Sequence, residues 1–457
     1  MTWSLSTRLT QLITTIVSLA ILGRLLTPED FGIFGIVIAI NAIVMPVLDL
    51  GLQPVYVKLK HATEEISNVF FTTNLIVGLI LALILTALAP IISKFYDLEI
   101  LGILLLLLSV SIVFSSLSSQ PRAVLAREKK FDQLGSCQIS VSVSGAALGI
   151  IFAWLGFGIW ALLGKLIYES ISRFILLTWC SGRHYSLVNL SVMSRYTLDL
   201  KFGKDIVLAR LIDGIVSASD KLILAKMISI GDLGAYTRSQ QFAMMPDANI
   251  RTPITTALLS YLAGNDSPLK TYLNMTWLIY AVAGFPCFLL ISHGEKLLPL
   301  LLGEQWVEYG WMLRWLGIVG LAKVVQGIVV IVNINDKKAK YTIKLMAFSS
   351  VPSIFLPFLA FIVSDSFHVF LATMAFLLLI YWSCALIITL WSRYPDESLT
   401  LYINFLFIIL SAIATMTAVD ILGIQNVLFA ALVEGAIFLG LLIIMKWRAL
   451  LEIGKLF

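Results

Sequence analysis

Between residues 204 and 227 the chain carries Arg210, Asp213, Ser217, Asp220 and Lys221 in an otherwise apolar setting. On a helix these five fall within an arc of about 100°, leaving Leu208, Ile215, Ile223 and Leu224 for packing. Lys165, Glu169, Ser172 and Arg173 share a second such face, and Gln11, Thr14, Thr15 and Ser18 a third. Charged groups at membrane depth are disfavoured by about 2.5 to 3.5 kcal/mol each on insertion scales. Such faces therefore point at a water-filled cavity or at one another. Arg210, Asp213, Lys165, Glu169 and Arg238, with Arg314 and Lys323 further along, are the candidates for contact with a transported substrate. Among them the carboxylates Asp213 and Glu169 also suit ion coupling. A structural alternative stands beside this reading. Arg210 with Asp213, and Lys165 with Glu169, have helical pairing spacing, and a buried pair can simply lock two helices together.

Other chemistry is sparse. Cys137, Cys180, Cys287 and Cys384 have no CxxC spacing, and His61, His184, His293 and His368 form no cluster, so the sequence indicates no metal site and no cofactor. There is no phosphate-binding loop to support nucleotide hydrolysis, and "GFGIWALLG" at 156 to 164 reads as a tight turn opening a helix.

The elements that hold these residues follow from composition. Of 457 residues, 59% are hydrophobic and only 13% charged, with mean hydropathy +0.95, against the roughly 25% charged residues of a soluble domain. This composition predicts an all-α polytopic membrane protein. Apolar runs place about fourteen transmembrane helices, at 9–26, 31–53, 69–95, 99–119, 135–155, 158–180, 204–227, 232–256, 274–302, 309–333, 340–363, 367–392, 399–420 and 425–446. Lys and Arg alternate between the connections. Lys58, Lys60, Arg122, Arg127, Lys129, Lys130, Arg183, Arg195, Lys201, Lys337, Lys338 and Lys340 mark one side, whereas the other keeps Lys94 and Lys296 beside acidic residues. That pattern puts both termini in the cytoplasm, and the net charge of +5 reads as topology and attraction to anionic lipid, with no case for nucleic acid.

The stretch "LGRLLTPEDFGIFGI" at 22 to 36 is a helix junction: Arg24 meets the negative end of one helix, and Thr27, Pro28, Glu29 and Asp30 supply cap and first-turn acids to the next. "LAKMISIGDLGAYTR" at 224 to 238 repeats its outline at an offset of 202, with Ser229 and Asp232 as the caps. "REKKF" at 127 to 131 is echoed by "NDKKA" at 335 to 339. Six spans, an even number, separate the copies, so the two halves enter the membrane in the same sense as a parallel repeat. The organisation expected is two six-helix lobes, 1–200 and 201–397, followed by two additional transmembrane helices in 398–457.

With "GRLLTPEDFGIFGI", "DLGLQPVYV", "PRAVLAREKKFDQLG", "LGFGIW", "ASDKLILAKMISIGDLGAYTRSQQFAMMP" and "LLLGEQWVEYGWMLRWLGI" in that order, roughly residues 3 to 330 resemble the polysaccharide transport flippases, the Wzx-like branch of the MOP exporter superfamily. The chain opens at "MTWSLSTRL", almost inside the first span, without the short basic lead usual in that family. The resemblance implies a two-lobed helical fold. It implies translocation of polyprenyl-diphosphate-linked oligosaccharide across the bacterial inner membrane for O-antigen, capsule or exopolysaccharide, by alternating access coupled to an H+ or Na+ gradient. Partners would be that lipid-linked substrate, membrane lipids and other polysaccharide assembly proteins; no enzymatic activity is expected. A cationic lumen fits such a cargo, since two phosphates and a sugar head group need compensating charge while the polyprenyl tail stays in lipid. Two rivals make different demands. An ion-coupled multidrug exporter of the same superfamily would want an acidic, aromatic lumen, and a membrane glycan polymerase would want a large external loop with catalytic groups.

Overall fold

A computed structural model describes residues 2–48, 52–59, 62–188, 200–251, 280–335, 339–391 and 434. Every regular element among the described residues is helical. In order they are α1 (Thr2–Leu25), α2 (Pro28–Leu48), α3 (Leu52–Lys58), α4 (Glu64–Tyr96), α5 (Glu99–Arg127), α6 (Phe131–Trp154), α7 (Ile159–Ser181), α8 (Leu200–Met227) and α9 (Ile230–Pro246). After α9 comes a π-helical turn, Asp247–Arg251, and another, Tyr280–Gly284, leads into α10 (Phe285–Leu302). A 3₁₀ turn, Glu304–Tyr309, then precedes α11 (Gly310–Asn335), α12 (Ala339–Ser364) and α13 (Phe367–Trp391). Seven segments of these helices are long and apolar enough to cross a membrane, and α4 and α13 turn Leu83, Ile91, Phe376 and Ile380 outward, as a lipid-facing surface requires. The chain is a polytopic all-α membrane protein. Each of the first twelve expected spans has a described helix; the last two, and with them the 398–457 segment, lie outside the described residues apart from Glu434, which is helical.

The caps form as the sequence dictates. Thr27 Oγ1 accepts from Asp30 N at 3.2 Å, while the Thr27 N–H and hydroxyl donate to Asp30 Oδ2 at 3.1 and 3.2 Å. Ser229 and Asp232 repeat the reciprocal bonding at the start of α9. The turn between α6 and α7 needs positive φ at Gly156 (81°) and Gly158 (55°), which glycine adopts without a Cβ clash.

One boundary differs from the hydropathy reading. α5 continues past 119 to Arg127, and Gln120, just beyond the expected end, finds a partner on a neighbouring helix: its Nε2 donates to Ser67 Oγ of α4 at 2.9 Å, while inside the expected span Ser111 shares a 2.6 Å hydrogen bond with Ser170 of α7. Both sites are buried, so each unmade bond would cost about 1–3 kcal/mol.

Packing resolves two compact units, Met1–Thr237 and Arg238–Phe457, dividing inside α9. The expected lobe boundary at 200 and 201 rests on the repeat, a different quantity from this packing boundary. In the first unit α5 is central, touching α2, α3, α4, α6 and α7, while α2 packs against α8. In the second, α11 lies against α10, α12 and α13. Within the first unit the start of α2 also crosses the start of α9 with backbones in near contact. A Cβ on Gly32 would meet the Ile230 carbonyl, and a Cβ on Gly234 would meet the Pro28 carbonyl. At the offset of 202 these are the same contact made twice: 32 corresponds to 234, and 28 to 230.

Candidate functional site

The polar faces of α1 and α7 meet around α6. Lys165 and Glu169 stand four residues apart on α7, and α6 presents two glycines at the same spacing. Gly149 faces the Lys165 stem, with 3.2 Å from a Cβ built there to Lys165 Cδ, and Gly145 faces the Glu169 side chain. No larger residue fits at either glycine without displacing a charged stem. Lys165 Nζ donates to Ser18 Oγ of α1 at 3.2 Å, and Ser18 is 2% exposed. One cation, one carboxylate and a buried hydroxyl thus share a seam at membrane depth in the first unit.

On α8 the backbone carries Arg210 and Asp213, whose side chains lie outside the described residues. The lower part of that stripe is internally matched. Tyr236 of α9 donates to Asp220 Oδ2 at 2.6 Å, and Lys221 Nζ stands 3.7 Å from Asp220 Oδ1. Positions 220 and 236 correspond at the offset of 202 to Ser18 and Phe34, so the second copy gains an acid and a phenol where the first has a hydroxyl and a hydrocarbon ring.

In the second unit Arg238 is buried and donates through Nη1 to Gln241 Oε1 at 2.7 Å. Arg314 is exposed on α11 and approaches Glu295 Oε1 at 3.4 Å; Lys323 is half-buried on the same helix. The structure also joins two residues that sequence reasoning did not single out. His293 Nε2 and Glu434 Oε1 lie 2.9 Å apart, with side chains 12% and 3% exposed. Each is an ionisable residue in an apolar span, and that was the available signal. Their separation in sequence concealed the pairing.

At the basic end of the first unit Arg127 Nη1 donates to the carbonyls of Tyr56, Val57 and Leu59 at 3.1, 3.2 and 2.5 Å, closing the C-terminus of α3. Glu128 accepts from Lys130 and Arg183, both at 2.8 Å. Beyond α7, Tyr185 stacks on Phe71 at 4.9 Å, and Ser186 N and Val188 N donate to Asn68 Oδ1 and Thr72 Oγ1 of α4. Burial pushes the Tyr185 phenol up to about 12. Cys137 and Cys180, far apart in sequence, bring their free thiols to 3.1 Å between α6 and α7. Among the described residues no group of three or more His, Cys, Asp or Glu side chains could hold a metal ion.

Comparison with known proteins places this scaffold. The profile of a family described as "Polysaccharide biosynthesis protein" matches residues 21–311. The chain belongs to this family. Among its curated relatives in the polysaccharide biosynthesis group, the teichuronic acid biosynthesis protein TuaB of Bacillus subtilis is 24% identical over 321 residues, covering 68% of this chain and 65% of the relative. The succinoglycan biosynthesis transport protein ExoT of Rhizobium meliloti is 23% identical, covering 67% and 62%, and the lipopolysaccharide biosynthesis protein WzxC of Escherichia coli is 22% identical, covering 67% and 63%. The chain spans less than two thirds of the length of each of these relatives. A solved structure of the lipid II flippase MurJ, in an inward closed conformation, matches with TM-score 0.74 at 14% identity over 98% of this chain and 99% of its own. An inward-facing multidrug resistance transporter of the MATE family, in the MOP superfamily, matches with TM-score 0.64 at 14% identity, covering 87% and 99%. This member of the polysaccharide biosynthesis family therefore has the helical fold of those transporters.

Proposed function

We propose that the protein is a flippase that moves polyprenyl-diphosphate-linked oligosaccharide from the inner to the outer leaflet of the bacterial inner membrane, by alternating access coupled to an ion gradient. The observation that carries this reading is the family match over 21–311 on a fold shared end to end with a lipid II flippase. The relatives' names point to the same kind of cargo, in teichuronic acid, succinoglycan and lipopolysaccharide assembly. Surface polysaccharide precursors, membrane lipids and assembly proteins are the partners, and both termini face the cytoplasm, as the Lys and Arg distribution supports.

The cargo's chemistry makes definite demands. Its diphosphate and sugars need cations and hydrogen-bond donors during passage, and Arg210, Lys165 and Arg238 would supply them, with Arg314 and Lys323 as further cations and Asp213 and Glu169 as coupling acids. The seam around Lys165 supports this role, because a hydroxyl-bonded ammonium at membrane depth is expensive to keep without one. A drug exporter on the same fold remains the rival reading. Expression in a cell lacking its own oligosaccharide flippase decides between them. Surface glycan is expected to return and the lipid-linked intermediate to fall, while Lys165→Ala and Arg210→Ala abolish the rescue at normal membrane abundance. Drug resistance without glycan rescue refutes the proposal. Recovered transport in the double replacement Arg210→Ala with Asp213→Ala would remove Arg210 from the binding site.

A further inference from the structure

We propose that Cys137 and Cys180 form an oxidation site, at which a hydroperoxide converts two thiols into a disulfide that staples α6 to α7. Both thiols are free, and their sulfurs stand 3.1 Å apart on different helices. A disulfide bond is about 2.05 Å long, so closure takes about 1 Å of travel, on the scale of side-chain rotation. The pair sits among Leu125, Leu134, Leu176 and Leu177, where α6 packs against α7. Apolar packing asks only for small hydrophobic side chains there. It does not ask for a second sulfur in contact with the first. The other two cysteines show the difference: Cys287 is buried and donates to the Ala283 carbonyl at 3.6 Å, and Cys384 is exposed on α13.

Access sets the order of events. Cys180 lies one residue before the end of α7 at Ser181 and is partly exposed, whereas Cys137 is 5% exposed. The Cys180 thiolate therefore meets the peroxide first. Its sulfur attacks one peroxide oxygen, the O–O bond breaks, and a sulfenic acid forms with release of one water. Cys137 Sγ then attacks that sulfur. The S–S bond forms as the S–O bond breaks, and the departing hydroxide takes the Cys137 proton and leaves as a second water. In total two thiols and hydrogen peroxide give a disulfide and two waters, with two electrons passing from sulfur to oxygen. Proximity makes the second step fast, since well-oriented groups in one molecule reach effective concentrations of about 10⁵ M or more, far above any dissolved thiol. The return is exchange with two molecules of a small thiol such as glutathione, which are oxidised to their own disulfide.

The position suits a reversible mark better than a permanent brace. α6 starts directly after Lys130 and α7 ends just before Arg183, so the pair lies at the end of the first unit that carries the Glu128, Lys130 and Arg183 cluster. That end is cytoplasmic in the reading above, and disulfides formed in the cytosol are as a rule transient and redox-sensing. Glu169 is eleven residues before Cys180 on α7, about 16 Å along the helix, so the thiols stand apart from the charged seam. The staple fixes the spacing of α6 and α7 at one end of both helices, whatever the chain transports.

The test uses the full chain, reduced and held in lipid nanodiscs, treated with hydrogen peroxide in the presence of glutathione and of dimedone, which traps sulfenic acids. The protein is then unfolded in iodoacetamide, digested and read by mass spectrometry. The wild type is expected to give a linked peptide joining Cys137 to Cys180, lighter by two hydrogens, in a chain that still migrates as a monomer and is restored by dithiothreitol. Cys287 and Cys384 are expected in no linked peptide. Cys137→Ser removes the resolving thiol, so dimedone capture at Cys180 is expected to rise at least tenfold. Should that variant fail to accumulate, Cys137→Ala keeps the site apolar and carries the same outcome. Three results overturn the proposal. One is a wild type whose Cys180 takes dimedone or glutathione while Cys137 stays alkylatable. Another is equal dimedone capture with and without Cys137. The third is a pair still fully alkylatable at peroxide levels that oxidise Cys384, which is what two cysteines serving only as packing would give.

Discussion

Replacing Gly32 by Ala puts a Cβ 2.8 Å from the carbonyl carbon of Ile230, whereas a relaxed carbon contact needs about 3.5–4.0 Å. The obstacle is the backbone of α9, which cannot rotate away as a side chain would. Relief requires α2 and α9 to part by about an ångström along their crossing. Overpacking typically costs about 1–3 kcal/mol, and a rigid partner places this case near the top of that range. Helix propensity acts in the opposite sense, favouring Ala over Gly by about 1 kcal/mol. The net expectation is a loss of about 2 kcal/mol, roughly thirtyfold in the folding equilibrium. Gly234→Ala strains the same crossing from the other helix, with 2.9 Å to the carbonyl carbon of Pro28. Because one separation relieves both, the double replacement is expected to cost less than the sum of the singles. Gly102 on α5 is the internal control. A Cβ there has its nearest neighbour at 3.4 Å, an ordinary contact, so propensity alone remains and Gly102→Ala is expected to stabilise by up to about 1 kcal/mol. Reversible unfolding of the purified variants in bicelles, followed by steric trapping, gives the free energies directly. Equal effects at positions 32 and 102, or strict additivity of 32 with 234, would refute the close crossing.

Tyr236→Phe removes the phenol that donates to Asp220 and is expected to cost about 1–3 kcal/mol; unchanged stability in the same assay would show that the bond is not made. Arg127→Ala frees the last carbonyls of α3, so limited proteolysis is expected to cut faster between 52 and 63 while the rest of the first unit stays protected. Burial raises the Glu128 carboxyl, but hydrogen bonds and charge from Lys130 and Arg183 outweigh it and hold it below the usual carboxylate range. A lowered carboxyl contributes stability above its unfolded pKa of about 4.3 and loses it as pH falls through the folded value. Glu128→Gln is therefore expected to lower stability at neutral pH, where the carboxylate's contribution is fully present, and to flatten the profile below about pH 4.3 so that variant and wild type converge in acid, which a denaturation series across pH measures directly.

Whatever depends on neighbours along the chain was legible in the sequence alone. Composition and run length established a helical membrane protein, and the charged run at 204–227 is helical as α8. The Thr27–Asp30 and Ser229–Asp232 caps and the Gly156–Gly158 turn were readable because a cap or turn is satisfied within four residues. Tertiary structure decided what those elements do to one another. Hydropathy stopped α5 at 119 because serine and glutamine look like a boundary, and only the Ser67 hydroxyl of α4 shows that Gln120 is satisfied inside. In sequence Arg127 is a topology signal; in the fold it caps the end of α3. The exposed loop arginine and the helix-capping arginine have the same sequence signature. Cys137 with Cys180 and His293 with Glu434 are pairs whose members lie on different helices. Their contacts depend on helix rotation and depth, which are set by many side chains packing at once, so no local pattern records them.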